Sequence, residues 1–543
     1  MDKIKKIALI IFICFLNVFL ISLSQNFPIS ISLTNASLFK IPLFFWIFIG
    51  VTPFLLYIIA KSNKNKFIKI LCAMFYYFIF YSYGLYFISH PTISDIGSST
   101  VFQELLKSIT HIGAFEISIE SYFQWPVYFI FSKIFSSTLG TGSILTLNLA
   151  FIILISIFPV FLILFYQNRI QFTSKSNFFI VTALFLTLSF FFINDQFVPQ
   201  FLALMYLFIL YGCYIKFQES KSLLFLGFII IFYTLCVFTH AFMYLFFLLS
   251  IFVELIWSKY LDFKESNSIS YELILLLIII PFIYITVYLQ RIRNVTFGQS
   301  NRIFESIASQ RGSNDFYTQH LYTLVPKIYD LIFSNLTKII VATAFIIVAI
   351  GLFLYLYKNK KGNIIDLGII AGTLMWFILG LSRMVLGQRA LQVAPLALST
   401  HYKNSHKKFL ILTKIIIVLI LISPSLFVAN NLINESLSGE RFIQDKQENI
   451  AGKFLDNHLY NSTFLVIGAQ NAYPTGINFQ NVGIPNSIDI TNYNEFRQYI
   501  DFIVDSPKLK KRYDYQNISL PLGEYDFTIY DSKNIKIKSP FFN

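Results

Sequence analysis

The sequence predicts a polytopic α-helical membrane protein with about 13 transmembrane helices, a large outer loop bearing interfacial helices, and a small C-terminal external α/β domain. Three observations carry that prediction. The 543-residue chain is 56% hydrophobic and only 13% charged, where a soluble chain carries roughly a quarter charged residues. Apolar runs of about 17 to 23 residues, the length needed to cross a bilayer, recur along most of it. From about residue 431 those runs stop and shorter, mixed patterns replace them. The chain therefore divides into a membrane part, 1–430, and an extracytoplasmic part, 431–543.

The first element, "MDKIKKIALIIFICFLNVFLISLS", has the charge and apolar core of a signal peptide. Its core is long and it has no convincing small-residue cleavage site, so it reads as an uncleaved first span. Spans follow at approximately 7–24, 42–60, 68–89, 142–166, 177–193, 198–215, 222–239, 241–257, 271–289, 336–357, 364–381, 389–401 and 409–429. The four cysteines, Cys14, Cys72, Cys213 and Cys236, fall inside apolar runs with no metal-ligand spacing and no disulfide framework. They behave as small hydrophobes.

Charge sets the orientation. The net charge of +14 comes largely from short Lys clusters between apolar runs, which encode topology and do not signal nucleic-acid binding. With a cytoplasmic N-terminus, "KSNKNKFIK" (61–69), "KNKKGN" (358–363) and "HYKNSHKK" (401–408) all fall inside, and the small turns "INDQF" (193–197) and "FTHAF" (238–242) fall outside without Lys or Arg. An odd number of spans then places the C-terminal part outside.

This orientation gathers the unusual polar groups on one face. Asp95 opens the first large outer loop, 90–141, a few residues after the third span. In "TVFQELLKSITHIG", Val101, Phe102, Leu105, Leu106 and Ile109 share one helical face, with Glu104 and Lys107 on the other, the pattern of a helix lying in the interface plane. Tyr122, Trp125 and Tyr128 suit the headgroup level, and Pro126 can start a helix. Asp195 and Gln196 occupy a short turn that fixes an acid at the outer surface, although an Asn-Asp turn capping the next helix explains them equally well. His240 sits in another outer turn, where it has either a structural place or a role in binding an anion or relaying a proton.

The arginines add the strongest chemical hint. Arg291, Arg293, Arg302, Arg311, Arg383 and Arg389 lie in outer loops, including the second large one at 290–335, or at span ends. Positive charge on the translocated side opposes the topological bias and needs another reason. Guanidinium binds phosphate through two parallel hydrogen bonds, which Lys cannot do. The set points to an anionic, phosphorylated ligand at the outer surface, with pairing to Asp315, Asp330 or lipid headgroups as the bland alternative. In the last stretch, "NSTFLVIGAQN" (461–471) predicts a short buried strand, "GERFIQDKQENIAGKFLDNHL" (439–459) a helix, and "GEYDFTIYDSKNIKIKS" a hairpin.

This layout resembles the GT-C superfamily of polyprenyl-phosphate-sugar-dependent glycosyltransferases, which includes protein mannosyltransferases, oligosaccharyltransferases and aminoarabinose transferases. The likeness is carried in residues by "NDQFVPQFLALMYLF" (194–208) and "YFQWPVYFIFSKIF" (122–135). It implies a membrane glycosyltransferase that takes a sugar from a polyprenyl-phosphate donor, with membrane lipid and an acceptor glycan, lipid or protein as partners. It implies that Asp95 matches a first-loop acid acting as catalytic base or as a metal or acceptor ligand, and Asp195 a second acid. Arg383 and Arg389 match basic residues that hold lipid phosphate, with Arg291 and Arg293 as further candidates. A divalent cation, Mg or Mn, is an alternative way to hold the phosphate, with Asp95 and Asp195 as its ligands. Two spans precede the expected start, and the loop acid is single where many members have a pair. An O-antigen-type polymerase or ligase would also use outer Arg and a large outer loop. A non-enzymatic lipid-sugar transporter should place charges inside its spans, and these spans contain almost none.

Overall fold

A computed structural model describes residues 7–14, 16–17, 43–62, 65–87, 126–139, 143–166, 177–186, 199–240, 243–260, 271–284, 392–393, 395–396, 418, 421–422, 425, 464–466, 487–489, 502–505, 527–531 and 536–539. Besides a helical stretch at 7–14, they include α1 (Leu43–Ser62), α2 (Lys66–Phe87), α3 (Pro126–Leu139), α4 (Ser143–Tyr166), α5 (Asn177–Phe185), α6 (Pro199–Ser220), α7 (Leu223–Thr239), α8 (Met243–Tyr260) and α9 (Tyr271–Ile283). Eight coincide with expected spans, and α3 starts at Pro126, where the outer loop was expected to turn helical. The expected spans at 336–357 and 364–381 and the helix at 439–459 lie outside the described residues.

Phe, Ile, Tyr and Leu dominate these segments in spite of their modest helix propensity. Hydrocarbon offers backbone N–H and C=O groups no water, so only a structure that bonds them internally is stable there. Pro53, Pro159 and Pro281 stand inside α1, α4 and α9, and the carbonyls four residues before Pro53 and Pro281, Ile49 and Leu277, are bonded from other segments by Ser425 and Tyr233. By length and composition, Phe44–Lys61 and Pro199–Ser220 suffice to cross a membrane, and Ala150–Tyr166, Leu223–Thr239, Met243–Phe252 and Leu273–Ile283 are shorter apolar helices.

The bundle centres on α6. It is buried along nearly its whole length, from Pro199 to Ile215, and packs against α4, α7 and α8. The outer helices have one bare face: α7 exposes Leu223, Leu224, Phe228 and Ile231, and α9 exposes Leu275, Ile278, Ile279, Phe282 and Ile283. Rings fill the centre. Phe158 lies 5.4 Å from Phe185 and 5.2 Å from Phe208 between centroids, so α4, α5 and α6 meet in one aromatic cluster. The first expected span joins it through Phe12, edge-on to Phe75 of α2 at 6.2 Å.

Tyrosines tie these helices to one another. Tyr77 of α2 donates to the Thr182 carbonyl of α5 at 2.7 Å, Tyr211 of α6 to the Phe246 carbonyl of α8 at 3.0 Å, and Tyr233 of α7 to the Leu277 carbonyl of α9 at 2.7 Å. Tyr166 of α4 donates to the Phe208 carbonyl of α6. The Leu277 carbonyl is the one that Pro281, lacking an N–H, leaves without its ladder donor, and Ser250 Oγ shares the Phe246 carbonyl at 2.7 Å. Ser425, in the last expected span, reaches the Ile49 carbonyl of α1 at 3.0 Å.

The α6–α8 interface also holds an acid. Glu254, 7% exposed, accepts from Tyr214 Oη at 3.0 Å and from Gln218 Nε2 at 2.8 Å, and Gln218 also donates to Tyr214 at 2.9 Å. A buried carboxylate is stable only when its oxygens are bonded, and both are. α6 runs past the expected end of its span at 215 to Ser220. Lys216 pairs with Glu219 at 2.9 Å and Ser220 Oγ bonds the Lys216 carbonyl at 2.8 Å, so polar residues continue the helix after the apolar pattern ends.

A five-stranded sheet has the order β2-β1-β3-β5-β4, with β1 (Phe464–Val466), β2 (Ser487–Asp489), β3 (Phe502–Asp505), β4 (Phe527–Asp531) and β5 (Lys536–Ser539). β1 pairs parallel with β2 and β3, with Leu465 opposite both Ile488 and Ile503. β5 pairs antiparallel with β3 and β4, and the β4–β5 ladder is irregular between Thr528 and Tyr530. The strand expected near 464 and the hairpin expected at the C-terminus are both present. β2 and β3 were not anticipated, because runs of three and four residues are too short to show an alternating pattern.

Two backbone positions generate stability tests. A Cβ on Gly212 would stand 2.5 Å from Phe165 Cβ, a part of the side chain that cannot swing away. Gly212→Ala must push α4 from α6 and should destabilise the protein by about 1–3 kcal/mol, read as a lower thermal midpoint. Between α6 and α7, Lys221 takes φ 54 and its N–H caps the Phe217 carbonyl at 2.7 Å, a helix-ending position suited to glycine. Lys221→Gly should relieve about 1 kcal/mol of strain and raise the midpoint.

Candidate functional site

The end of the α6–α7 pair that carries Pro199 and His240 organises the candidate region. The helices run antiparallel, and Cys236 Sγ of α7 meets the Ala203 carbonyl of α6 at 3.4 Å, which fixes their register. Gln200 lies three residues before Ala203 and His240 four after Cys236. At about 1.5 Å of rise per residue, both sit within one helical turn of that contact, at the same end of the bundle.

α6 begins at Pro199, whose fixed φ and missing N–H suit a first helical position. α7 ends at Thr239, and His240 caps it in extended conformation, φ −157 and ψ 134, its N–H donating to the Cys236 carbonyl at 3.1 Å. His240 is half-buried. Beside it Phe238 stands edge-on to Tyr284 with centroids 4.2 Å apart, closing α7 against the chain that leaves α9.

A third segment arrives from far along the sequence. Gln200 Nε2 donates to Gln392 Oε1 at 3.0 Å, across 192 positions. Gln392 is fully buried, and its neighbours Val393 and Leu396 are buried in the core. The segment is closed by a turn in which the Leu396 N–H reaches the Val393 carbonyl at 3.2 Å. Arg389 lies three residues before Gln392, and Asp195 five residues before Gln200.

Of the site residues singled out by sequence, His240 is described. Asp95, Asp195, Gln196, Glu104, Arg291, Arg293, Arg383 and Arg389 lie outside the described residues. Two polar groups were missed. Gln392 is a lone amide in the apolar "LQVAPLAL", and Glu254 a lone acid in "FLLSIFVELIW". Their signal was that isolation, since an uncompensated polar group in hydrocarbon needs a partner. Among the described residues no three His, Cys, Asp or Glu come together to hold a metal ion.

The chain shares its fold with ArnT from Cupriavidus metallidurans. Against the structure of that protein bound to undecaprenyl phosphate, the TM-score is 0.51 at 8% sequence identity, over 88% of this chain and 99% of the other. The apo structure of the same protein gives a TM-score of 0.47 at 8% identity, over 87% of this chain and 97% of the other. No protein-family model matches the chain, and no curated protein matches it by sequence. The chain has the fold of that ArnT protein, and the expected bundle of apolar helices is present among the described residues.

The register of α7 yields a topology test. Its 17 residues span about 26 Å at 1.5 Å per residue, close to the hydrocarbon thickness. With the exposed Cys14 replaced by Ser, a membrane-impermeant thiol reagent applied to intact cells should label His240→Cys and leave Lys221→Cys unlabelled. Labelling of the second and not the first reverses the orientation.

Proposed function

We propose that this protein is a membrane glycosyltransferase that moves a sugar from a polyprenyl-phosphate donor to an acceptor on the extracytoplasmic face. The observation that carries the reading is the shared fold: it extends over 88% of this chain and 99% of a protein whose structure holds undecaprenyl phosphate. The multi-pass orientation expected from the Lys clusters puts Asp95, Asp195, His240 and the outer arginines on the side where no nucleotide donor is at hand. A sugar already activated on a lipid phosphate needs none.

In the proposed reaction an acceptor hydroxyl attacks the anomeric carbon of the donor. A new glycosidic C–O bond forms, the C–O bond to the lipid phosphate breaks, and the hydroxyl proton passes to a carboxylate. Asp95 or Asp195 serves as that base, provided it reaches the hydroxyl within hydrogen-bonding distance. Arg383 and Arg389, with Arg291 and Arg293, stabilise the phosphate as it leaves, using paired N–H donors where charge develops. The spans hold the polyprenyl tail, and the C-terminal sheet region, 431–543, covers or binds the acceptor. Where a divalent cation supports the leaving group, Asp95 and Asp195 are the side chains assigned to it.

The test uses the full-length protein in proteoliposomes supplied with a panel of labelled polyprenyl-phosphate sugars and membrane extract as acceptor source. Transfer of label from one member supports the reading, and no transfer from any member sinks it. With an active donor in hand, Asp95→Asn should lower the rate by about 10²–10⁴, or about 3–5 kcal/mol in barrier, with the thermal midpoint unchanged. Arg389→Lys should raise the donor KM, because the charge stays while the bidentate fork is lost. Near-normal transfer by Asp95→Asn combined with an inactive Glu116→Gln would move the base to Glu116, another carboxylate of the 90–141 loop.

A further inference from the structure

We infer that α9 carries a hinge at Pro281 and that Tyr233 of α7 is the latch that fixes it, its hydroxyl standing in for the N–H that the proline lacks. The inference does not depend on the glycosyltransferase reading. In an unbroken α-helix the N–H of residue 281 bonds the carbonyl of residue 277. Proline has no N–H, and its ring crowds that same carbonyl, so the ladder of α9 is open at this point. The Leu277 carbonyl instead accepts from Tyr233 Oη at 2.7 Å, across 44 positions. Both residues are fully buried. Of the 13 residues of α9, the phenol has taken the one whose carbonyl the proline opens.

The surroundings brace this contact. The Tyr233 ring stands edge-on to Tyr244 of α8 with centroids 6.0 Å apart, and lies 6.1 Å from Phe247 of the same helix. α8 therefore sets the rotation at which the hydroxyl points. Pro281 is buried, and beyond it Tyr284 packs edge-on against Phe238 of α7 at 4.2 Å. α7 thus grips α9 on both sides of the proline, by a hydrogen bond before it and by a ring after it. An open ladder lets the two parts of a helix pivot about a proline, and only the hydrogen bond ties the part before Pro281 to α7 at the break. A second proline carries the same arrangement independently. Pro53 opens the Ile49 carbonyl of α1, and Ser425 donates to it at 3.0 Å from 376 positions away. In both places a buried proline is matched by a hydroxyl from a distant segment.

The first test is a double-variant cycle in the full-length protein, read as the midpoint of thermal unfolding in detergent micelles. Tyr233→Phe keeps the ring and removes the donor. With proline at 281 it leaves the Leu277 carbonyl buried without that bond and should lower the midpoint. Pro281→Ala returns an N–H to the ladder. In that background Tyr233→Phe orphans no carbonyl, and its effect on the midpoint should fall to roughly half or less. An equal loss in the two backgrounds overturns the inference, because the phenol is then an ordinary contact between helices.

A second measurement reads the hinge itself. Leu275 of α9, before the proline, and Leu164 of α4 are both exposed on the bundle surface. With Cys14→Ser, nitroxides at Leu275→Cys and Leu164→Cys should give one narrow distance distribution by electron–electron dipolar spectroscopy. Tyr233→Phe should broaden it by releasing the part of α9 that precedes Pro281, and adding Pro281→Ala should narrow it again. A distribution that stays narrow in Tyr233→Phe overturns the inference, since the hinge then needs no latch. One that stays broad after Pro281→Ala is added overturns it too, since the phenol is then not replacing the missing N–H.

Discussion

In hydrocarbon a hydroxyl has nowhere to turn except to another part of the protein, and the helix arrangement depends on that constraint. Apolar side chains pack as well against lipid tails as against each other, so burial alone does not decide which helices meet. Here the choice is made by tyrosines. Tyr77, Tyr166, Tyr211 and Tyr233 each donate to a carbonyl on a different helix, linking α2 to α5, α4 to α6, α6 to α8 and α7 to α9. Each bond is modest, averaging about 0.6 kcal/mol for such contacts in a membrane protein. Their value is directional, since a phenol reaches a chosen carbonyl only at one rotation and one height of its helix. The rings bring large apolar area to the same contact, so packing and register are set by one residue type.

Much of the helical layer was legible in the sequence for a simple reason: a bilayer imposes one length and one composition, and both can be read from a string of letters. The starts of α1, α4 and α6 fall within a residue of the expected spans. α6 outlasts its apolar run because hydropathy marks where lipid ends, whereas Lys216, Gln218 and Glu219 are good helix formers in water. In the sheet, the β4–β5 hairpin was visible because its two runs flank a polar turn. β2 and β3 exist through pairing with β1 and β5, which no local pattern contains. The Gln200–Gln392 bond was invisible for the same reason, since a single sequence does not say which residues 192 apart will touch.

At the candidate site, sequence reasoning weighed charge and passed over amides. Charge in or near a membrane is costly enough to attract notice, and it singled out Asp95, Asp195 and the outer arginines. A neutral amide at a span end looks like ordinary tolerance, yet Gln392 is buried and bonded, and Glu254, inside the expected span 241–257, has both oxygens occupied. The two groups lie at opposite ends of the α6 neighbourhood: Gln200 in its first turn, Gln218 in its last. The same central helix therefore carries a neutral clasp at one end and an acid-centred one at the other, which fixes its height as well as its rotation.

The bond from Ser425 to the Ile49 carbonyl spans 376 positions, and it dates the completion of the fold. At ribosomal rates of about 5–20 residues per second, α1 is made roughly 20–75 s before its partner emerges. Helices inserted early must wait in the bilayer with their final neighbour unmade. The delay matters at Ile49, because the residue four positions on is Pro53, which has no N–H to give the Ile49 carbonyl its ladder bond. The late-arriving Ser425 brings that donor, so a carbonyl that the proline leaves without its ladder partner is bonded from outside its helix only once the distant segment has been made.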